Sequence, residues 1–420
     1  SCIPERFTLA LNNPAGDVVT SASKALSVQV KSVQTGLPKN SAVVRVVLSA
    51  QPNPSGGTAP LAKLTGCAAV STVVGGYNCT TTADYANFNF IAPAAPGSHT
   101  ITATCINPAC LSPQVTTVNV KCPAGMQTNA AGTACVEQYT LTLDAPAGDL
   151  EPSGTTAVGN ITSKAMSVLV KSEKTGQIKY GAKVRITLGV IDGTGGHDHP
   201  DPNRPKGTLA GCAAVANLPN NYDCTTGAVG TDGKATFTFT SSQVSGTHTV
   251  SASCISPVCI NSQSVVQDVK VAGLSQIPAS PFYAFVGATA SHSDNHYLTP
   301  EAEAVLHSIA ASYQYESRFR SIAVDPANPN DTRPLTLNDA SLVWGGLFDH
   351  TGNWRPPHVE HRRGTAIDIR ANQAAGAIPA GRTKREFIKF LESLEGLDFL
   401  HESIGTDNEH FHIRLLGSKG

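Results

Sequence analysis

The sequence Phe7-Thr-Leu-Ala-Leu11, followed by Pro14-Ala-Gly-Asp17, returns later in the chain as Tyr139-Thr-Leu-Thr-Leu143 followed by Pro146-Ala-Gly-Asp149. Further along, Gly66-Cys-Ala-Ala-Val70 returns in the same order as residues 211–215. Recurrences that keep their order over such a distance indicate a tandem repeat. We therefore predict that the first 271 residues hold two copies of one structural unit.

Each copy alternates apolar and polar residues in short runs separated by turn residues, as in Val43–Leu48 and Ala235–Phe239. A period of two places every second side chain on the same face of a strand, so each copy is predicted to be an antiparallel β-sandwich. Both copies resemble bacterial immunoglobulin-like domains in strand rhythm and cysteine spacing. That resemblance implies a role as spacer, targeting module or adhesive stalk, with possible contacts to a cell surface or cell wall.

All eleven cysteines lie before residue 260. A cytosolic protein rarely keeps so many, so they indicate an exported bacterial protein that is periplasmic, cell-surface or secreted. Close spacing suggests local disulfides, although sequence alone does not fix the connectivity. The suggested pairs are Cys67–Cys79, Cys105–Cys110, Cys122–Cys135, Cys212–Cys224 and Cys254–Cys259.

The remaining cysteine, Cys2, precedes Phe7 much as Cys135 precedes Tyr139. We expect Cys2 to be the second half of another disulfide-closed joint, with further repeats upstream. A lipid-anchoring cysteine is the alternative.

Charge and hydropathy exclude some classes of partner. Thirty Lys and Arg balance 31 Asp and Glu, for a formal net charge of −1. Neither half of the chain has the charge excess that attracts nucleic acid or anionic lipid. The sequence also has no apolar run of about 18 residues, the length that spans a membrane. We predict no nucleic-acid partner and no transmembrane segment.

After residue 271 the pattern changes. Thr299-Pro300-Glu301 has the residues of a helix N-terminus, and Thr383 with Glu386 forms a capping box. Residues 365–370 and 410–415 alternate as strands do, so this part is predicted to be an α+β domain with a small antiparallel sheet. The predicted organisation is sandwich 1–121, disulfide-closed joint 122–135, sandwich 136–271, linker 272–293 and α+β domain 294–420.

Two short segments of this last domain carry candidate metal ligands. In Glu360-His-Arg-Arg-Gly-Thr-Ala-Ile-Asp-Ile369, a glycine turn follows His361 and the next strand carries Asp368. In Glu409-His-Phe-His-Ile-Arg414, His410 and His412 share one face. Two imidazoles and one carboxylate with a vacant position are the usual ligands of a catalytic zinc ion. The two segments could thus offer two histidines and an aspartate to one Zn²⁺ ion.

The spacing of these segments resembles the group that unites D-Ala-D-Ala metallopeptidases, lysostaphin-type endopeptidases and the hedgehog signalling domain, with the D-Ala-D-Ala carboxypeptidase version the nearest. The resemblance covers residues 296–416. It implies zinc on His361, Asp368 and His412, Glu409 as the base that deprotonates the bound water, and His410 as the group that stabilises the developing charge. On a regular strand, however, Glu409 faces away from His410 and His412, so we expect a bulge or a strand start at Glu409.

The function expected from this resemblance is an exported zinc metallopeptidase of the peptidoglycan carboxypeptidase or endopeptidase type. Its substrate would be a peptide of bacterial cell-wall peptidoglycan. Two alternatives remain open: an exported peptidase that acts on proteins, and a non-catalytic adhesin or binding protein with a structural zinc domain.

One further cluster lies in a loop where the second sandwich is longer than the first. Its residues are His197, Asp198, His199 and Asp201. They could bind a metal, but a solvated loop is the favoured interpretation, because the sequence shows no distant ligand to complete a cage.

Overall fold

The chain folds mostly as β-sheet, in a computed structural model that describes residues 4–51, 60–154, 161–199, 203–315, 324–325, 328–332, 334–349, 351–355, 360–371 and 382–416. The described chain separates into two compact units. One unit comprises Ser1–Thr140 and Lys171–Gln177, and the other comprises Leu141–Val170 and Ile178–Gly420. The second unit thus contains most of the second sandwich and the whole C-terminal part. No helix among the described residues is long and apolar enough to cross a membrane.

The first repeat is a sandwich of two sheets. Apolar side chains alternate along its strands, and the inward-facing ones, such as Val44, Val46 and Phe90, are fully buried between the sheets. In spatial order, one sheet contains Phe7–Asn12, Ser23–Ser32, Ala86–Ile91 and Lys63–Thr65. The other contains Val18–Val19, Gln114–Lys121, Gly97–Asn107, Val43–Ala50, Gly76–Thr80 and Ala68–Ala69.

The second repeat has the same architecture. One sheet contains Tyr139–Asp144, Ser163–Ser172, Ala235–Thr240 and Thr208–Ala210. The other contains Ala213–Ala214, Asn221–Thr225, Lys183–Val190, Gly246–Ser256 and Gln263–Val269. The prediction of tandem immunoglobulin-like β-sandwiches is confirmed.

Five disulfides close the predicted loops. The bonded pairs are Cys67–Cys79, Cys105–Cys110, Cys122–Cys135, Cys212–Cys224 and Cys254–Cys259. The pair Cys122–Cys135 closes a small hairpin of Met126–Thr128 and Cys135–Glu137. Cys2 lies outside the described residues. The predicted pairings are confirmed, and corresponding positions of the two repeats are cross-linked in the same way.

The C-terminal part is built on a mixed five-stranded sheet. In spatial order its strands are Tyr283–Phe285, Leu335–Leu337, Ala366–Arg370, His410–Arg414 and Asp398–Glu402. Two short ribbons accompany it, Ser275–Gln276 with Tyr297–Leu298 and Val324–Asp325 with Asn328–Thr332. The segment 272–293, predicted to be a linker, therefore contributes a strand that pairs parallel to Leu335–Leu337.

Two helices cover one face of this sheet. The first, Pro300–Tyr315, begins where the Thr299 hydroxyl accepts a hydrogen bond from the Ala302 amide, as an N-cap does. The second is Arg382–Glu392. Leu306, Ile309 and Phe390 pack into one core with the buried face of the sheet. This core lies behind the candidate metal ligands and fixes the face on which they emerge.

The second sandwich packs directly on the C-terminal part within the same unit. The Leu347 amide donates to the Gln243 carbonyl at 2.8 Å, and the Ser245 hydroxyl donates to the Gly345 carbonyl at 2.7 Å. Ser245 is fully buried. Polar groups taken out of water in this way need partners, and each of these finds one across the interface.

The disulfides predict a graded loss of stability. The pair Cys212–Cys224 spans 12 residues and the pair Cys254–Cys259 spans 5. Closing these loops in the unfolded chain is worth about 3 and about 2 kcal/mol in the chain-entropy description. We therefore expect C212S/C224S to lower the opening free energy of the second sandwich more than C254S/C259S. Native-state hydrogen exchange of the Asn221–Thr225 amides measures this, and an equal or reversed loss would contradict the entropic account.

Candidate metal site

Two antiparallel strands place the first two candidate ligands side by side. Ala366–Arg370 pairs with His410–Arg414, and Asp368 lies directly opposite His412. Directly opposed residues of an antiparallel pair project from the same face. On the other face Ile367, Ile369 and Phe411 are fully buried in the core. Burial of the apolar set therefore determines the direction in which Asp368 and His412 point.

The third candidate, His361, lies in a short 3₁₀ turn at Glu360–Arg363. The next residue, Gly364, has a φ of +67°, and a Cβ there would lie 2.4 Å from the Leu274 side chain. Only glycine fits such a position without displacing its neighbour. The turn leads into the strand, and the His361 Nε2 atom lies 3.2 Å from Asp368 Oδ1.

The three side chains converge on one point. Nδ1 of His412 lies 2.8 Å from Asp368 Oδ1, and the rings of His361 and His412 are perpendicular with centroids 4.9 Å apart. One ligand atom from each residue lies within 4.8 Å of the others. A tetrahedral zinc ion with bonds of about 2.0–2.1 Å separates its ligand atoms by about 3.3–3.4 Å. The donor set and its spacing fit a zinc ion, and binding itself stays a prediction.

The electrostatics of the cluster suit a cation. All three side chains are buried or nearly so. Burial alone raises the pKa of Asp368, but His361 and the hydrogen bond from His412 hold it far below its ordinary value. Burial conversely lowers the pKa of His361, and the Asp368 carboxylate outweighs this and raises it. The carboxylate thus attracts positive charge to this point, which a divalent cation supplies without a proton.

A carboxylate that the sequence did not single out orients His412. Nε2 of His412 lies 2.9 Å from Glu360 Oε2, on the side of the ring away from Asp368. Glu360 also accepts hydrogen bonds from Arg414, whose Nη1 reaches Asp398 at 2.6 Å. Arg414 lowers the pKa of Glu360. A carboxylate on the outer nitrogen fixes the tautomer of a metal-binding histidine. With the proton held on Nε2 by Glu360, Nδ1 would ligate a metal ion in place of its hydrogen bond to Asp368.

Glu409 faces away from this cluster. Its Oε1 accepts hydrogen bonds from Lys384 Nζ and His401 Nε2, both at 2.6 Å, and His401 stacks on Phe411 with ring centroids 4.5 Å apart. Its amide donates to the Thr406 carbonyl, so the chain turns just before the strand but does not rotate the carboxylate to the other face. Glu409 therefore lies on the Phe411 face, opposite His412. The strand does start directly after Glu409, at His410, but this start does not turn the carboxylate toward the cluster, and the described pairing with Ala366–Arg370 keeps a regular register without a bulge.

His410 lies beside the cluster rather than over it. Nδ1 of His410 lies 2.6 Å from the Asn408 carbonyl oxygen, and Nε2 lies 3.2 Å from Glu402 and 3.6 Å from Asp368 Oδ2. These contacts hold the ring between two carboxylates.

The loop of the second sandwich is not simply solvated. His197 is fully buried, and the Asp198 carboxylate accepts hydrogen bonds from the amide and hydroxyl of Ser293 at 2.9 and 2.6 Å. His199 packs on Trp354, with ring centroids 4.4 Å apart. Asp201 lies outside the described residues. The loop therefore docks on the C-terminal part of the same unit.

Comparisons with known proteins give only distant structural likeness. No family model matches the chain, and no curated protein matches it. The adhesin InvE of Yersinia pseudotuberculosis matches 86% of this chain over 96% of its own, at 12% identity and a TM-score of 0.27. The D00-D0 domain of intimin matches 62% of this chain over 98% of its own, at 16% identity and a TM-score of 0.20. FdeC, an Escherichia coli adhesin, matches 69% of this chain over 73% of its own, at 11% identity and a TM-score of 0.21.

The expected resemblance to zinc peptidases is wrong, and with it the prediction of a metallopeptidase. The matching structures reported above are adhesins and none is a zinc peptidase, and no family model supports the resemblance. The side chains supply the physical reason. Glu409, which the resemblance made the general base, is bound to Lys384 and His401 on the opposite face of the strand, and a base must lie within reach of the proton it removes. The peptidase form of the α+β domain and the peptidoglycan substrate find no support in these comparisons.

The contacts of Glu409 predict a structural effect instead. Burial raises the pKa of Glu409, but Lys384, His401 and the Gly405 amide hold it below its ordinary value. Its contribution to stability is therefore complete above about pH 4.5 and is lost as the pH falls through the lowered pKa. We expect E409Q to lower the free energy of unfolding by about 2 kcal/mol at pH 7, because hydrogen bonds to a buried charge are lost. Urea denaturation and elemental analysis should show reduced stability with unchanged zinc content.

The matched control is E395Q, since Glu395 is exposed on the same domain. Its stability should stay within about 0.5 kcal/mol of the parent. Loss of zinc in E409Q without loss of stability would contradict the structural role.

Proposed function

We propose that this chain is an exported, non-catalytic adhesin or surface-binding protein. In this proposal the tandem immunoglobulin-like sandwiches act as a spacer. The C-terminal domain, with a zinc ion bound by His361, Asp368 and His412, is the binding end.

The placement of Glu409 carries this proposal. A hydrolytic zinc site needs a general base beside the bound water. Among the described residues Glu409 is held by Lys384 and His401 on the far face of the strand. The three ligands thus form a metal centre whose predicted base is engaged elsewhere, which favours a structural or binding role for the ion.

The sandwiches support the spacer role. Each sandwich is a pair of sheets with two local disulfides of its own, and a further disulfide, Cys122–Cys135, closes the hairpin that lies between them in sequence. Disulfides persist in oxidising surroundings and reduce the entropy of the unfolded chain. Such modules suit a protein that is exported to a cell surface or secreted.

The zinc ion would stabilise the C-terminal domain by joining three separate segments. His361 comes from the 3₁₀ turn, Asp368 from the central strand and His412 from its neighbour. Because the unfolded chain does not preform such a site, the free energy of binding contributes to folding. Three protein ligands leave one position for solvent or for an oxygen atom of a bound partner.

A binding experiment tests the proposal. Fluorescently labelled full chain is added to bacterial cells and to epithelial cells, with and without prior removal of zinc by a chelator. We expect saturable binding to one of these surfaces and at least a tenfold weaker affinity after zinc removal or in H361A/H412A. The readout is flow cytometry over a concentration series.

The control variant is H307A, because His307 is exposed on the first helix of the same domain. It should bind as the parent does. Absence of saturable binding to every surface would overturn the adhesin proposal, and undiminished binding by H361A/H412A would overturn the role of the zinc domain as the binding end.

A further inference from the structure

A second group of buried histidines lies between the second sandwich and the C-terminal part of the same unit. His197 and His199 come from the loop that follows Lys183–Val190, His292 precedes the first helix, and Asp349 follows Phe348. The side chains of His197, His292 and Asp349 are fully buried, and that of His199 is 14% exposed. One ligand atom of each residue lies within 4.8 Å of the others.

The three imidazoles surround a single carboxylate oxygen. Oδ1 of Asp349 lies 2.9 Å from His292 Nε2, 3.4 Å from His197 Nδ1 and 3.5 Å from His199 Nε2. His292 Nε2 and His197 Nδ1 are 3.3 Å apart. These separations lie close to the edges of about 3.3–3.4 Å that a tetrahedral zinc ion imposes on its ligand atoms.

Hydrogen bonding alone accounts poorly for this convergence. A carboxylate oxygen has two lone pairs, yet three ring nitrogens approach the same one. Nε2 of His199 is buried and makes no hydrogen bond to any described residue. Such a group is costly unless something satisfies it. A cation among the four atoms accepts a lone pair from each of them.

The surroundings hold the four side chains in this arrangement. Oδ2 of Asp349 accepts a hydrogen bond from the Trp354 amide at 2.6 Å, which turns Oδ1 toward the imidazoles. Trp354 has a φ of +59° and packs its ring against both His197 and His199. A bulky residue in the left-handed region costs free energy that its contacts must offset. The Asp198–Ser293 hydrogen bonds tie the loop to the segment that carries His292.

The loop is peculiar to the copy that adjoins the C-terminal domain. The corresponding stretch of the first repeat, residues 51–62, contains no histidine and no acidic residue. The histidines thus occur only where a partner segment supplies the other ligands.

We propose that His197, His199, His292 and Asp349 form a second, closed zinc site that fastens the second sandwich to the C-terminal domain. Four protein ligands with no open position are typical of structural zinc. This ion cross-links an inserted loop to a neighbouring domain, and it is separate from the ion assigned to His361, Asp368 and His412.

Zinc stoichiometry tests the second site. Four proteins are loaded with zinc alone, dialysed and measured by elemental analysis: the full chain, H361A/H412A, H197A/H199A, and the four-fold variant that combines both pairs of substitutions. We expect the parent and H307A to retain two zinc ions per chain, H361A/H412A to retain one, and the four-fold variant to retain none. Cobalt added to H361A/H412A should give the intense visible absorption of a tetrahedral site, and D349N should weaken it.

The design separates the two sites. H361A/H412A keeps all four ligands of the second cluster, so the absence of bound zinc in this variant, with a circular dichroism spectrum that matches the parent, overturns the second site whether or not H197A/H199A folds. Equal zinc in H361A/H412A and in the four-fold variant overturns it as well. Failure of the first site instead appears as undiminished zinc when His361 and His412 are replaced.

Discussion

The antiparallel pairing of Ala366–Arg370 with His410–Arg414 governs the C-terminal domain. Because side chains alternate along a strand, burial of Ile367, Ile369 and Phe411 leaves Asp368 and His412 on the opposite face. The same alternation sends Glu409 toward Phe411 and away from the metal cluster. One constraint therefore both gathers the predicted zinc ligands and separates them from Glu409, the predicted general base.

Buried polar groups recur where the second sandwich meets the C-terminal domain. The Ser245 hydroxyl donates to the Gly345 carbonyl and lies 3.0 Å from the Gly195 carbonyl, and three imidazoles surround Asp349 in the same interface. Buried polar groups contribute little net stability unless all are satisfied, but they specify one arrangement over others. We therefore expect this interface to hold the second sandwich and the C-terminal domain in one relative orientation, as the proposed role of the sandwich in positioning that domain requires.

Much of the fold follows from local patterns in the sequence. The repeats, the alternating strands and the cysteine spacings predict the sandwiches and their disulfides, and the glycine turn before Asp368 predicts that His361 approaches the strand. Each of these depends on residues close in the chain or on a recurrence. Local patterns do not predict the second histidine cluster. His197 and His199 can be recognised in the sequence, but His292 and Asp349 join them only because one domain docks on another. Likewise, Tyr283–Phe285 becomes a strand only because Leu335–Leu337 offers a parallel partner.

The orientation of Glu409 shows how spacing can mislead. A glutamate three residues before His412 matches the peptidase pattern, yet strand alternation places it on the opposite face, and sequence spacing does not reveal that Lys384 and His401 bind it there. The most direct measurement is mass spectrometry of soluble products after the zinc-loaded chain is incubated with purified peptidoglycan and, separately, with casein. A non-catalytic zinc domain predicts no products beyond those of a chelator-treated control. Muropeptides or casein fragments that appear with zinc and vanish with chelator would contradict the account.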